Sequence, residues 1–254
     1  MSMAKVNDIE MYYETHGQGE PLVMLHGFCM SGRIWSLFVP DFEDHFQLII
    51  PDLRGHGRST NPSRKFTHRQ AAFDVFALLD SLGIKRFRAM GYSSGGMTLI
   101  HMATLQPSRL EAMVLISATS YFPKPCREIM AQSTFENLSE EELDYFRKMH
   151  FYGDEQIRLL MDQFRNMKDS CDDMNFTPPI LSTITAKTLI VHGDRDPYFP
   201  VSIPTDMYNS IPHAYLWIFP NIGHDYIVSK HAPEIKHATL EFLKGAGTRI
   251  VTYS

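Results

Sequence analysis

The pentapeptide GYSSG at residues 91–95 carries the side chains of this chain best suited to nucleophilic chemistry. It joins a short apolar stretch, residues 87–92, which is typical of a buried strand, to a helical stretch. A serine at such a junction, with glycines two residues away on each side, fits the pattern GxSxG, whose strained turn exposes the serine hydroxyl. The spacing predicts Ser93 as the nucleophile, because for Ser94 the residue two positions earlier would be the bulky Tyr92. The backbone N–H of Ser94 is then expected in an oxyanion hole, where it stabilises charge on a reacting carbonyl oxygen.

A base and an orienting acid must accompany a serine nucleophile, and in chains with this motif they follow it in the order acid, histidine. The predicted strand 188–192 ends in a loop with two acids, Asp194 and Asp196. We favour Asp196, because Asp194 stands at the tight turn, where aspartate commonly bonds its own backbone. Of the 12 histidines, His224 alone combines a position just after the last predicted strand with the required order. Ser93, Asp196 and His224 are therefore the predicted catalytic triad.

A second oxyanion donor is expected from the loop after the first predicted strand, residues 21–25. A His-Gly turn at 26–27 stands there, and the amide of the following Phe28 can point at the same carbonyl oxygen as the amide of Ser94. A purely structural turn is the alternative. We favour the functional interpretation, because the two loops must converge if the serine is to act. Cys29 either lines the pocket or is a small buried hydrophobic residue.

Short apolar stretches alternate with longer amphipathic ones, which is typical of βαβ units around a mostly parallel sheet covered on both faces. Strands are predicted at 21–25, 46–51, 87–92, 110–116, 188–192 and 215–219, and helices near Trp35, at 67–82, from the GYSSG motif to about 106, at 201–210 and at 233–244. From 119 to 185 the strands stop, and two amphipathic helices rich in Met and Phe are predicted near 139–148 and 154–167. The predicted organisation is an α/β core of residues 1–118 and 186–254 with an inserted helical cap of residues 119–185.

The composition of the 254-residue chain excludes several classes of protein. A net charge of −5 leaves no basic surface for a phosphate backbone, so nucleic acid is not an expected partner. The three cysteines, Cys29, Cys126 and Cys171, lack CxxC spacing, which argues against a zinc site and a disulfide framework and favours a reducing compartment. No stretch is long and apolar enough to span a bilayer. We therefore expect a cytoplasmic protein of one domain with an inserted lobe and no metal, and a homo-oligomer is left open.

Five motifs resemble those of the α/β-hydrolase superfamily and occur in its order. They are LHGF at 25–28, PDLRGHGRS at 51–59, GYSSGG at 91–96, HGDRDPYFP at 192–200 and NIGH at 221–224. Together they span the predicted core and leave the cap unmatched. The resemblance implies an eight-stranded sheet, no cofactor, and an acyl-enzyme that water resolves, as in the serine esterase-like branch. The serine sets the chain apart from the haloalkane dehalogenase and epoxide hydrolase branches, which use an aspartate nucleophile.

The chain also departs from the superfamily pattern at one position. Similar enzymes usually have Met, Leu or Gln after the nucleophile, where this chain has Ser94. The departure bears on the polarity of the pocket and leaves the expected mechanism unchanged. PDLRGHGRS is interpreted as a loop that shapes the floor of the site and takes no part in the chemistry.

The resulting hypothesis is hydrolysis of a small to medium hydrophobic carboxylic ester, a small-molecule substrate. Apolar cap residues are expected either to line the pocket or to form the cap's own core. They are Met130, Met149, Phe151, Tyr152, Met161, Phe164 and Met167. Lactonase, carbon–carbon bond hydrolase and cofactor-free haloperoxidase or perhydrolase activities are alternatives with the same triad, and Phe28 disfavours a haloperoxidase, which often has Trp there. A ligand receptor on a hydrolase scaffold is the alternative from a different class.

Overall fold

The computed structural model describes residues 2–225, 227, 229 and 231–245. Within them eight strands form one sheet: β1 Ser2–Val6, β2 Ile9–His16, β3 Glu20–Leu25, β4 Phe46–Pro51, β5 Phe87–Tyr92, β6 Leu110–Ile116, β7 Lys187–Gly193 and β8 Ala214–Phe219. Their spatial order is β1-β2-β4-β3-β5-β6-β7-β8. β2 pairs antiparallel with β1 and β4, and the pairings among β4, β3, β5, β6, β7 and β8 are parallel. The predicted α/β class with a mostly parallel, eight-stranded sheet is confirmed.

Helices connect and flank the strands throughout the described ranges. The α-helices are α1 Val39–Phe42, α2 His68–Ser81, α3 Ser94–Leu105, α4 Lys124–Gln132, α5 Glu140–Met149, α6 Gly153–Asn166, α7 Pro178–Leu181, α8 Ser202–Ser210 and α9 Ala232–Leu243. Short 3₁₀ helices occur at Gly32–Leu37, Pro107–Arg109, Phe135–Asn137 and Met167–Asp169. The six predicted strands and the six longer predicted helices end within one residue of the observed ends. None of the helices in the described part of the chain has the length and apolar character of a membrane span.

The N-terminal hairpin is the part of the sheet for which the sequence patterns above assigned no elements. β1 and β2 are joined by the two-residue turn Asn7-Asp8, across which Val6 pairs with Ile9. Asn7 has a φ of 49°, in the left-handed region that Asn tolerates better than most residues. An Asn-Asp pair between two β-branched residues is the local signal that predicts this hairpin.

The sheet is buried on both faces, and its central strands are therefore unbroken apolar stretches in the sequence. In β3, Val23 and Leu25 pack with α2 and α3, whereas Leu22 and Met24 pack with Trp35 on the opposite face. All four of these side chains are fully buried. Because β3 to β8 are parallel, their carboxyl ends and the loops that follow them lie along one edge of the sheet, where such folds place their sites.

Between β6 and β7 the chain forms helices α4 to α7, and the structure describes every residue there. An isolated bridge pairs Tyr121 with Asn175, and no strand occurs in this stretch of described residues. The helix α4 was not among the predicted helices. The division of the chain into core segments 1–118 and 186–254 around a cap of 119–185 stays a prediction, and its residues 246–254 lie outside the described ones.

A buried ion pair ties the loop 51–59 to α2. Arg54 donates two hydrogen bonds to Asp74, at 2.6 and 3.0 Å, and the two side chains are 3% and 0% exposed. We expect Asp74→Ala to lower the free energy of unfolding by about 3–5 kcal/mol, because the guanidinium charge stays buried without its main partner. Urea denaturation measures the loss. The control is Glu155→Ala, which breaks the exposed pair of Glu155 with Arg64 and is expected to cost less than about 1 kcal/mol. Equal losses in the two variants would contradict the conclusion that burial makes the Arg54–Asp74 pair the more important one.

Candidate active site

Ser93 lies on a sharp turn between the end of β5 and the start of α3. Its φ of 50° and ψ of −114° are values that a non-glycine residue keeps only when its surroundings enforce them. The flanking glycines allow the turn to pack closely. A Cβ atom at Gly95 would lie 2.2 Å from the Leu25 carbonyl oxygen, and one at Gly91 would lie 2.6 Å from the Gly95 backbone. This is the tight strand-to-helix turn that the sequence predicts around Ser93.

The structure brings Ser93, His224 and Asp196 into one hydrogen-bonded chain. His224 Nε2 lies 3.0 Å from Ser93 Oγ, and His224 Nδ1 lies 2.6 Å from Asp196 Oδ2. The other carboxylate oxygen of Asp196 accepts the amide N–H groups of Tyr198 and Phe199 at 2.8 and 3.1 Å. A carboxylate only accepts hydrogen bonds, so Nδ1 carries the ring proton and Nε2 faces the serine hydroxyl as an acceptor. The arrangement can take a proton from Ser93.

Asp194, the alternative acid, does not contact the histidine. Its Oδ1 accepts the amide N–H of Ile222 at 3.2 Å, which links the loop after β7 to the loop after β8. Of the two acids in the loop, the structure therefore brings Asp196 to His224. Within the described residues, Asp194 bonds the backbone of the loop after β8 and not the backbone of its own turn, which was the prediction from the sequence.

The amides of Phe28 and Ser94 are available to a substrate oxygen. Within the described residues neither amide donates a hydrogen bond to the protein, and both residues line the same cavity as Ser93. The loop after β3 is fixed by His26, whose Nε2 accepts the amide of Leu53 at 2.9 Å while Nδ1 donates to the Gly27 carbonyl at 2.7 Å. The geometry is compatible with the predicted oxyanion hole.

A cavity of about 560 Å³ opens above the turn. Seven apolar cap residues were expected either to line the pocket or to form the cap's own core, and four of them line the cavity: Met130, Met161, Phe164 and Met167. The other three do not line it. Met149 is partly buried against the core cluster that contains Trp35, and Phe151 and Tyr152 are 70% and 49% exposed. Phe151 and Tyr152 lie in the connection between α5 and α6, where a helical pattern does not specify a buried face.

A sequence model of the family described as alpha/beta hydrolase fold matches residues 20–141, which include the turn at Ser93. By sequence, residues 20–141 match this family, and the described structure has the α/β-hydrolase fold. The solved structure of a meta-cleavage product hydrolase from Pseudomonas fluorescens IP01 superposes on this hydrolase with a TM-score of 0.78 at 21% identity. The match covers 97% of this chain and 98% of that one and supports the fold.

Relatives of this α/β-hydrolase carry the names of different hydrolases. A soluble epoxide hydrolase of Corynebacterium sp. (strain C12) is 35% identical over 129 residues, which cover 48% of this chain and 45% of that enzyme. A 2-hydroxy-6-oxo-6-phenylhexa-2,4-dienoate hydrolase of Burkholderia cepacia is 26% identical over 94% of this chain and 92% of its own. A pimeloyl-(acyl-carrier protein) methyl ester esterase of Nitrosomonas europaea is 28% identical over 84% of this chain and 92% of its own. At the level of reaction class this chain is a hydrolase.

The two cysteines that line the cavity of the hydrolase do not compete with the serine. Burial raises the pKa of the Cys29 thiol far above its ordinary value. Burial, with a smaller effect of the Asp196 charge, raises the pKa of Cys126 to about 12. Because the thiolate is the nucleophilic form, both groups are inert at neutral pH.

Polar residues that the sequence reasoning missed also line the cavity. Tyr92 donates its hydroxyl proton to Asp225 at 2.6 Å, and both side chains border the space next to His224. His68, at the start of α2, borders the cavity on the side of Ser94. Asp225 directly follows the NIGH motif and Tyr92 lies within GYSSGG, so the sequence could have pointed to both. His68 lies outside all five motifs, and only the fold brings it to the cavity.

His150, just after α5, links the loop after β3 to the loop 51–59, and it gives the hydrolase a dependence of stability on pH. Its Nδ1 accepts the Gly57 amide at 3.1 Å, and its Nε2 donates to the Cys29 carbonyl at 3.0 Å. Burial lowers the pKa of His150 to about 4, against an ordinary value of 6.5. The unfolded chain therefore binds this proton more readily, so the contribution of His150 to stability is complete above pH 6.5 and is lost as pH falls toward 4.

We expect the non-titrating variant His150→Gln to show a shallower loss of stability with acid. Between about pH 6.5 and 4.5, the slope of unfolding free energy against pH is expected to fall by up to about 1.4 kcal/mol per pH unit. Urea denaturation at a series of pH values measures the slope. An unchanged slope in the variant would show that folding does not lower the pKa of His150.

Proposed function

We propose that this chain hydrolyses a small to medium, hydrophobic carboxylic ester through an acyl-enzyme on Ser93. The observation that carries the proposal is the chain of short contacts from Ser93 Oγ to His224, at 3.0 Å, and from His224 to Asp196, at 2.6 Å, at the base of an apolar cavity. His224 is the proposed base, and Asp196 orients it. The amides of Phe28 and Ser94 are the proposed oxyanion hole.

The proposed reaction has two halves that use the same groups. In the first, Ser93 Oγ bonds to the ester carbonyl carbon, its proton passes to His224 Nε2, and the carbonyl oxygen becomes an oxyanion held by the two amides. Breakage of the bond to the alcohol oxygen follows, and His224 returns the proton to the leaving alcohol. In the second half, water attacks the acyl carbon, His224 takes the proton of the water, and the carboxylic acid leaves as Ser93 regains a proton.

The charges around the cavity favour a neutral ester over an anionic substrate. None of the lining residues that the structure describes is Lys or Arg, and two of them, Glu142 and Asp225, are acidic. A carboxylate bound there would be desolvated without a cationic partner, which is costly. The Burkholderia relative is named for a dienoate, which carries such a group, whereas the Nitrosomonas relative is named for a methyl ester. An ester or a lactone suits this cavity better than a dienoate.

The test is hydrolysis of p-nitrophenyl esters from acetate to decanoate, with the p-nitrophenyl monoester of adipic acid beside the hexanoate. We expect repeated turnover and a value of kcat/KM at least about tenfold lower for the charged ester, because its carboxylate is unpaired in the cavity. A 2-hydroxy-6-oxo dienoate is the comparison for carbon–carbon cleavage. Faster turnover of the dienoate than of every ester would overturn the proposal, and a single turnover without release would favour a receptor.

The remaining properties stay predictions from the sequence. Among the described residues no group of three His, Cys, Asp or Glu side chains is placed to hold a metal ion. The predictions of no cofactor, no nucleic-acid partner and a cytoplasmic location rest on composition and on the resemblance alone, and the oligomeric state stays open.

A further inference from the structure

A second chain of serine, histidine and aspartate lies beside the first. Ser94 Oγ is 2.8 Å from His68 Nε2, and His68 Nδ1 is 2.6 Å from Asp173 Oδ2. Each ring nitrogen therefore has the same kind of partner as in His224, with Nδ1 facing a carboxylate and Nε2 facing a serine hydroxyl. Unlike the first chain, this one is buried throughout, since Ser94, His68 and Asp173 are 2%, 1% and 9% exposed.

Several contacts fix Asp173 as an ionised acceptor. It accepts the amide N–H groups of His68 and Arg69, at 2.8 and 3.1 Å, at the first turn of α2. His101 Nε2 lies 3.5 Å from Asp173 Oδ1 and 2.6 Å from its backbone carbonyl oxygen. Burial by itself would raise the pKa of Asp173, but the hydrogen bonds with His101 and His68 outweigh it and hold the pKa well below its ordinary value. The carboxylate therefore has no proton to donate.

The direction of the hydrogen bonds follows from that charge. Because the carboxylate of Asp173 accepts, Nδ1 of His68 donates to it, and a ring with a single proton then has Nε2 as an acceptor. Ser94 must then donate its only hydroxyl proton to His68. The lone pairs of Ser94 Oγ stay available, and Ser94 and His68 both line the cavity. To a ligand, Ser94 presents a fixed acceptor and no donor.

The proposed reaction fixes where the substrate carbonyl lies relative to Ser94 Oγ. Only the Cα and Cβ atoms of Ser94 separate its hydroxyl oxygen from the amide nitrogen that is proposed to bind the substrate carbonyl oxygen. A group on the carbon next to that carbonyl is therefore within reach of Oγ. Ser94 is itself a poor candidate for the nucleophile, because it is a helical residue of α3 and the strained turn belongs to Ser93.

We propose that Ser94, held by His68 and Asp173, is a specificity-determining residue that accepts a hydrogen bond from a hydroxyl group on the carbon next to the scissile carbonyl. The preferred substrates are then esters of 2-hydroxy acids. The inference rests on the proposed function, since it takes the Ser94 amide as an oxyanion donor. A neutral hydroxyl also fits a cavity whose described lining has no Lys or Arg.

The first test compares phenyl mandelate with phenyl phenylacetate, two esters that differ only by the 2-hydroxyl group. For each protein we take kcat/KM for the hydroxy ester divided by kcat/KM for the unsubstituted ester. The intrinsic reactivities of the two esters are the same for every variant, so dividing the wild-type ratio by the Ser94→Ala ratio isolates the contact of the hydroxyl group with Ser94. We expect a quotient of about 3 to 10 in favour of the hydroxy ester, the usual size of one neutral hydrogen bond. Thr98→Val is the matched control, because it removes a buried hydroxyl of α3 that bonds only the Ser94 carbonyl oxygen, and it is expected to keep the wild-type ratio.

The second test measures binding without turnover. Calorimetry on the Ser93→Ala protein compares mandelamide, 2-phenylacetamide and 2-oxo-2-phenylacetamide. Mandelamide is expected to bind about 3 to 10 times more tightly than 2-phenylacetamide, and the double variant Ser93→Ala/Ser94→Ala is expected to lose that preference.

The two tests separate the failure of the subsite from the failure of the proposed reaction. If simple esters turn over but Ser94→Ala changes neither ratio, the subsite is wrong and the esterase proposal stands. If no ester turns over and mandelamide still binds preferentially through Ser94, the reaction is wrong and the subsite stands. Tighter binding of the 2-oxo amide would mean that Ser94 donates to the ligand, which overturns the inference.

Discussion

Replacing Ser93 with alanine is expected to lower kcat for the best p-nitrophenyl ester by at least about 10⁴-fold. The variant loses the atom that bonds to the acyl carbon, and the amides of Phe28 and Ser94 can then assist only direct attack by water. The side chain is small and lines the cavity, so the fold should not change. Initial rates at saturating ester, with circular dichroism to check folding, measure the effect.

Ser94→Ala is the matched control for this prediction, since it removes the adjacent hydroxyl and keeps the backbone amide. We expect a loss of less than about tenfold for unsubstituted esters, because only hydrogen bonds of the Ser94 side chain are lost. The two serines have comparable histidine contacts, at 3.0 Å for Ser93 and 2.8 Å for Ser94. The comparison therefore tests directly whether the backbone strain at Ser93, and not the histidine contact alone, marks the nucleophile. Loss of turnover in Ser94→Ala alone would assign the nucleophile to the second chain.

Asp196→Asn is expected to lower kcat/KM for esters by about 10⁴-fold at neutral pH. An amide in place of the carboxylate can donate to His224 Nδ1, which favours the ring tautomer with its proton on Nε2. That tautomer cannot accept the proton of Ser93. Since Asp196 also accepts two backbone amides through its other oxygen, asparagine can keep those contacts and the loop should stay folded.

Asp194→Asn controls for the loss of a negative charge in the same loop. Asp194 accepts the Ile222 amide at 3.2 Å and does not reach His224, and asparagine can keep that bond through its carbonyl oxygen. We expect a change in kcat/KM of less than about tenfold. Equal losses in the two variants would indicate that the charge of the loop, and not the bond to His224, supports activity.

Much of the fold could be predicted because burial on both faces leaves a direct trace in sequence. β4, β5 and β6 are apolar stretches bounded by turn residues, and their observed ends match the predicted ones. The hairpin of β1 and β2 is half exposed and carries charged and polar residues, so apolar stretches do not indicate it. Its Asn7-Asp8 turn was the available signal.

The residues of the proposed triad could be named from sequence because each lies beside a strand end within a short motif. The glycine spacing around Ser93 has a steric origin, since Gly91 and Gly95 have no room for a Cβ atom. The contact of Ser94 with His68 spans 26 residues, and that of His68 with Asp173 spans 105. No local pattern encodes such a pairing, because it depends on how the segment before α7 packs on α2 and α3.

The cavity wall was only partly predictable for a related reason. An amphipathic pattern identifies one apolar side of a helix, and in α6 and just after it Met161, Phe164 and Met167 do face the cavity. It does not say whether apolar residues of a connection, such as Phe151 and Tyr152, turn toward the site or toward solvent. The direction of such a side chain depends on its tertiary contacts. Tyr152 donates its hydroxyl proton to the Arg58 carbonyl oxygen at the surface.

The most direct test of the proposed reaction is covalent labelling with a fluorophosphonate, followed by mass spectrometry of the intact protein and of its peptides. The proposal predicts one phosphonyl group per chain, located on Ser93, lost in Ser93→Ala and retained in Ser94→Ala. Labelling of Ser94, or no labelling of the folded wild-type protein, would contradict the assignment of Ser93 as the nucleophile.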